Sequence, residues 1–195
     1  MQTLEIPIFP LNTVLFPGGR LPLRIFEVRY VDMTKACIRD DAVFGVCQIL
    51  NGAEVGEPAV AAPLGCTARI VEWDVPAAGL FSLVTRGERV FRVLDQHVQP
   101  DGLIRAEVIV EEEREVKKLP PSLSMLSAMV GEIIAKIGAQ HFEQPARLDD
   151  AEWVAYRLAE ILPLSRDQKL HLLQERNAWT LLEQVQDAVL KLPAR

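Results

Sequence analysis

The sequence predicts an α+β protein: a six-stranded β-barrel with an inserted helix over residues 1–118, then an α-helical bundle over residues 119–195. Three observations carry this expectation. Up to Val110 the chain breaks into short, β-favouring apolar runs separated by Pro, Asn-Gly and Asp-Gly turn signals. One segment among them, residues 31–39, has helical spacing instead. After Pro120-Pro121 the apolar period changes throughout to that of amphipathic helices. About half a dozen strands at short spacing around a single helix favour a small barrel over a parallel sheet.

The opening stretch, Ile6 to Met33, organises the rest. Pro7, Pro10, Pro17 and Pro22 are too closely spaced for a helix, because each removes a backbone donor and clashes with the preceding turn. Extended pieces remain, with Pro17-Gly18-Gly19 forming a turn between strands at Val14-Leu15-Phe16 and Leu21-Pro22-Leu23. Prolines inside such runs mark edges, strand starts or bulges, so the sheet is expected to curl here. The helix at 31–39 ends at Asp40-Asp41, and Val43 to Leu50 reads as a buried strand. Residues 51–63, rich in Gly, Ala and Pro, read as a loop and the best candidate for disorder. Alternation resumes at Thr67, Arg69, Val71 and Trp73, and a turn at 76–79 joins this strand to Leu80–Thr85. Arg86-Gly87-Glu88 punctuates the next run, Val90 to Leu94, and Asp101-Gly102 turns the chain into Leu103–Val110. Glu111 to Glu115 with Lys117-Lys118 reads as a solvated exit strand and linker rather than a paired-carboxylate or metal site.

In the second half Ser122 is placed to cap a helix with Leu123, Leu126, Val130, Ile133, Ile134 and Ile137 on one stripe, ending near Gly138. A second helix spans 149–162 and stops at Pro163. Ser165 with Gln168 is a capping-box pair opening a third, and Asn177 caps a last one through Trp179, Leu182, Val185 and Val189.

Composition excludes several classes. With 49% apolar and 25% charged residues the chain is an ordinary globular protein, not a disordered one. Its formal charge of −6, without a Lys/Arg block, argues against a phosphate-backbone partner. Cys37, Cys47 and Cys66 form no CxxC pair, and His97, His141 and His171 are scattered, so no metal or other cofactor is expected. No basic-then-apolar leader opens the chain and no apolar run is of membrane-spanning length, so a cytoplasmic protein without membrane contact is expected.

The words FPL, VLFPGG, LPLRIFE and RY follow one another between Ile8 and Tyr30, and in this order they resemble the N-terminal domain of the Lon proteases, a module also found in cereblon and in stand-alone bacterial proteins. The likeness continues through residues 65–72 and 87–93, then Arg147-Leu148, Leu162-Pro163-Leu164, Gln168-Lys169 and Leu172-Leu173. It implies a PUA-like barrel followed by an all-helical subdomain, and a substrate-recognition role. Neither engine of a Lon protease is present: there is no GxxxxGK[ST] phosphate loop and no serine in a nucleophile context. The expectation is therefore a non-enzymatic recognition module for unfolded or degron-bearing polypeptides, or one docking on a larger protease or chaperone machine, through the barrel and the cleft expected between barrel and bundle. An RNA-binding PUA-like protein and a hydrolase with an unrecognised site are the alternatives. Oligomeric state is not legible.

The resemblance also marks a structural signature: Pro10, Pro17, Gly18, Arg24, Glu27, Arg29 and Tyr30. Its alternating charges suit ion pairs and backbone bonds where strand gives way to helix. Phe9, Leu15, Phe16, Leu21 and Phe26 are the candidates to line a groove for apolar segments of other proteins, with core packing as the competing role.

Overall fold

The structure, a computed structural model, describes residues 2–192; Met1, where no leader was expected, and the last three residues of the span assigned to the helical bundle lie outside them. The chain divides into two compact units, 1–113 and 114–195. In the first unit the strands are β1 (Gln2–Leu11), β2 (Arg20–Ile25), β3 (Phe44–Asn51), β4 (Val60–Ala77), β5 (Leu80–Val98) and β6 (Ile104–Val110), with α1 (Val28–Asp40) between β2 and β3. They form one six-stranded sheet in the order β2-β5-β4-β3-β1-β6. β6 also pairs with β5, so the sheet curls back on itself at that end, while among the described residues β2 has β5 as its sole strand neighbour.

β1 runs ten residues through two prolines. It can do so because it trades partners halfway: Gln2 to Ile8 pair with β6, and Ile8 to Leu11 pair with β3. Pro7 and Pro10 each lie where the strand has one neighbour, so neither missing N–H disrupts a second ladder. The strand expected at Val14–Phe16 does not form. Those three residues are buried as an irregular connection, and Gly18 and Gly19 are tied instead to Gly87, through Gly18 N–H to Gly87 O and Gly87 N–H to Gly19 O, each at 2.8 Å. Here the sheet needs glycine: a Cβ on Gly87 would lie 2.2 Å from the Phe16 carbonyl oxygen. Gly87 therefore sits inside β5 rather than ending a strand, and the two runs expected at 80–85 and 90–94 are halves of one strand. β4 and β5 reach 18 and 19 residues by absorbing register shifts, and such bulges let long strands bend around a core.

The loop after β3 is shorter than the sequence indicates, because Val60 already pairs with Asn51. It is also held in place: the Asn12 N–H donates to Glu54 Oε1 at 2.6 Å, and Gly56 O accepts from Arg29. α1 starts at Val28 and ends on Asp41 in the left-handed region (φ 47°), whose carbonyl and carboxylate both accept from Arg69 at 2.7 Å. Two apolar clusters fill this unit. One gathers Phe9, Leu15, Ile25, Tyr30, Val31, Met33, Phe44 and Leu83 beneath α1; the other gathers Ile6, Ile8, Cys47, Phe91, Ala106 and Val108 inside the curled-over end.

The segment after β6 is solvated over most of its length, with Glu112, Glu113, Glu115, Lys117 and Lys118 exposed, but its first residue is not and its backbone is tied down. Glu111 is buried, its N–H continues the ladder to Val90 O at 2.9 Å, and its carboxylate lies 3.9 Å from Arg92. Residues 114–119 belong with the helices: Arg114 pairs with Glu152, the Ala151 N–H donates to Lys117 O at 2.8 Å, and the Leu119 N–H donates to Asp149 O at 2.7 Å.

The helical unit holds α2 (Ser124–Ile137), α3 (Ala151–Ile161), α4 (Arg166–Gln174) and α5 (Ala178–Leu190). α3 is the hub. Ala151 and every residue from Trp153 to Ala159 are buried, and α2, α4 and α5 pack against it. Three helix starts are set by side chains named from sequence or adjacent to them: Asp150 accepts from Glu152 and Trp153, Ser165 and Gln168 form a reciprocal box, and Asn177 accepts from Trp179 and Thr180. Ser122 caps nothing, because a 3-10 turn at Pro121–Leu123 precedes α2. Of the stripe assigned to α2, only Leu126 and Val130 are buried; Leu123, Ile133 and Ile134 are half-buried and Ile137 is exposed.

Candidate functional site

The opening signature converges on the turn from β2 into α1. Arg29 is buried there and both terminal nitrogens of its guanidinium are engaged: Nη2 donates to Glu27 Oε2 at 2.7 Å and to Gly56 O, and Nη1 donates to Gly102 O at 3.2 Å. It also lies 4.9 Å from the centre of the Tyr30 ring. One side chain thus ties the start of α1 to the loop after β3 and to the β5–β6 turn. Arg24, three residues before Glu27, is exposed and forms no such bond. Pro10 is buried in β1, Gly18 adopts φ 72° at the turn, and Pro17 is half-buried beside it.

Beside this clamp runs a groove of ≈ 240 Å³. Its floor is Phe9 and Leu11 from β1, Ile25 from β2 and Tyr30 from α1, all buried; its walls include Pro22, Leu23, Phe26 and Val55. Phe26 is 55% exposed and Val55 56%, so two large apolar side chains stand open to solvent across an apolar floor. Arg24, Glu27 and Glu54 supply polar groups around it. Sites that enclose small molecules usually measure about 300–1,000 Å³. A smaller, open groove suits one or two side chains of an extended segment.

The five apolar candidates divide. Leu15 and Phe16 are buried in packing away from the groove, so neither offers a contact surface; Phe9 is buried but forms part of the floor; Leu21 is half-buried against the core beneath α1. Phe26 alone among them is exposed and lines the groove. Sequence reading missed Leu11, Leu23, Ile25, Val55 and Glu54. Val55 carried a signal, as a large apolar residue in the stretch 52–59, otherwise made of Gly, Ala, Pro and Glu.

No group of three or more His, Cys, Asp or Glu able to hold a metal occurs among the described residues. The three cysteines are buried thiols. Burial pushes the Cys37 thiol up to about 11 and the Cys47 thiol up to about 12, so both are protonated and weakly nucleophilic at neutral pH. No helix among the described residues is long and apolar enough to cross a membrane.

Known proteins place this arrangement. The chain is 36% identical to a Lon N-terminal domain protein from Xanthomonas campestris, with a TM-score of 0.77 over 97% of this chain and 99% of that one. The N-terminal domain of a Mycobacterium avium complex Lon protease shares the fold at a TM-score of 0.66 over 96% of this chain, with 18% identity. Among curated proteins, Lon protease 2 of Myxococcus xanthus is 34% identical over 69% of this chain, and chicken (Gallus gallus) cereblon is 31% identical over 61%. This chain spans 17% of the length of that Lon protease. The family profile described as the ATP-dependent protease La (LON) substrate-binding domain matches residues 5–191, and the chain belongs to that family.

Proposed function

We propose that this chain binds exposed apolar segments of other polypeptides, unfolded or degron-bearing, in the groove beside β2 and the start of α1, and that it recognises them without cleaving them. The observation that carries the reading is Phe26, a large aromatic side chain more than half exposed over a floor of Phe9, Leu11, Ile25 and Tyr30, in a family described by substrate binding. Exposed apolar groups at that density cost solvation unless a partner covers them. Phe26 and Val55 serve as anchors, with Phe9 acting from beneath and Leu21 at the margin. The chemistry of cutting and of ATP use belongs to a larger protease or chaperone machine, since no nucleophile or phosphate-loop motif occurs in this sequence. A cytoplasmic setting fits three cysteines kept as buried thiols.

Fluorescence anisotropy with dye-labelled α-lactalbumin tests this. The reduced, carboxymethylated protein should bind and the native disulfide-bonded protein should not, and Phe26→Ser should weaken binding ~10-fold or more, as loss of a central aromatic anchor does. Mass spectrometry of the mixture with ATP should show no fragments. Equal binding of native and unfolded forms, or appearance of fragments, overturns the reading.

A further inference from the structure

The groove is bounded by a strand edge, and the direction of that edge can be read from one side chain. Thr85 faces Leu21 across the β2–β5 ladder and donates its hydroxyl to Leu21 O at 3.0 Å. The Leu21 carbonyl therefore points toward β5. Because backbone groups alternate in direction along an antiparallel strand, Leu21 and Leu23 turn theirs to β5, while Arg20, Pro22 and Arg24 turn theirs outward. Pro22 agrees, since an outward position is where a missing N–H costs the ladder nothing. Among the described residues, Arg20 to Ile25 have no backbone partner on that outer side.

The same edge forms the groove wall. Pro22, Leu23, Arg24, Ile25, Phe26 and Glu27 all line it, and successive strand residues alternate faces, so an unbroken run lines a groove only along the strand's edge. On the other side stand Phe9 and Leu11, which lie beyond Ile8, the last β1 residue to pair with β6. The charges nearby balance, with Arg24 and Arg29 against Glu27 and Glu54, so the groove favours an uncharged segment.

We infer that the polypeptide client is held as an added β-strand on the outer edge of β2. This rests on the reading that the groove binds polypeptide. The client residue opposite Arg24 exchanges two backbone hydrogen bonds with it; the residue opposite Pro22 gives its N–H to the Pro22 carbonyl and receives nothing. Alternate client side chains lie over Phe26 and Val55. The occupant is therefore an extended, uncharged segment with apolar residues at every second position and no proline where it bonds to β2.

The test uses the whole chain and a fluorescein-labelled nine-residue peptide of alternating leucine and threonine with Gly-Ser ends. Two further peptides carry N-methyl groups at either the odd or the even residues of that core. One methylated set should lose ~10-fold or more in affinity and the other should stay within ~2-fold, because only alternate N–H groups face β2. Arg24→Pro, which removes the outward N–H, should weaken the parent peptide at least ~5-fold more than Arg24→Ala, which removes only the side chain. If Arg24→Pro fails to fold, the peptide series on the unaltered chain still decides. Tight binding of the parent with both methylated sets equally tolerated overturns the added strand and leaves the groove reading standing. If neither the parent peptide nor carboxymethylated α-lactalbumin binds, the groove reading itself fails. A self-associated dimer that Arg24→Pro dissociates, and that the parent peptide does not compete with, assigns the edge to a second copy and overturns the proposal.

Discussion

The two ends of the sheet finish their strands in opposite ways. At one end β6 lies between β1 and β5, so the edges of both are satisfied and Phe91, Ile8 and Cys47 are sealed beneath with no more than 1% exposure each. At the other end β2 is bonded on one side, and the residues that follow it, Phe26 and Val28, stand 55% and 75% exposed. A bare edge invites unwanted pairing, and proteins blunt such edges with proline and charge. β2 carries both, Pro22 and Arg24, on its outward positions. The closed end supplies stability, and the open end keeps a limited number of backbone groups available for binding.

Mutations at the two ends should therefore separate stability from binding. The largest effect belongs to the closed end: Phe91→Ala should cost about 3–5 kcal/mol in urea unfolding, the usual result of emptying a fully buried aromatic site, with affinity of the folded fraction unchanged. A binding defect in that variant at full folding would break the separation. Next is the clamp at the border. Arg29→Leu leaves Glu27 and the Gly56 and Gly102 carbonyls without their donor and should cost about 2–3 kcal/mol, whereas Arg24→Leu should change stability by no more than about 0.5 kcal/mol. Equal losses in the two would show that the arginines do not divide as their surroundings indicate. At the open end, Phe26→Ala should alter stability by less than about 0.5 kcal/mol while lowering affinity for unfolded α-lactalbumin ~10-fold.

The smallest effect is expected from Cys37 and Cys47, which lie in different cores. A thiol whose folded pKa is raised favours its protonated form in the native state. The stability it confers is intact below the ordinary value of 9.0 and declines as pH climbs toward about 11 for Cys37 and about 12 for Cys47. Native protein at pH 8 should therefore react negligibly with iodoacetamide, and urea should expose all three cysteines. Above pH 10, Cys37 should be labelled before Cys47. Rapid native labelling at pH 8 would mean that one of the cores opens readily.

Much of the local structure was legible because its causes are local. The box of Ser165 with Gln168, the cap at Asn177 and the turn at Asp101-Gly102 each depend on groups a few residues apart, and all are present. Legibility failed where a distant element supplied the partner. Val14–Phe16 looks like a strand, but Gly18 and Gly19 bond to Gly87, some seventy residues on, and leave those residues packed without a ladder. Glu111 looks solvated until β5 supplies a backbone acceptor and Arg92. Among the groove candidates, periodicity could not tell Phe16, which is fully buried, from Phe26, which is not, because both are large aromatics beside a turn.

The sequence by itself determined the α+β class, the curl imposed by its prolines and glycines, most helix starts, and through the ordered words of its opening the family. These follow from dihedral limits, local hydrogen bonds and short spacings carried by neighbouring residues. Tertiary structure decided that β4 and β5 are single long strands, that Arg29 is a clamp while Arg24 stays free, and which aromatic faces water. Those outcomes depend on which side of a strand remains unpaired, and pairing joins residues whose separation in sequence carries no local signal.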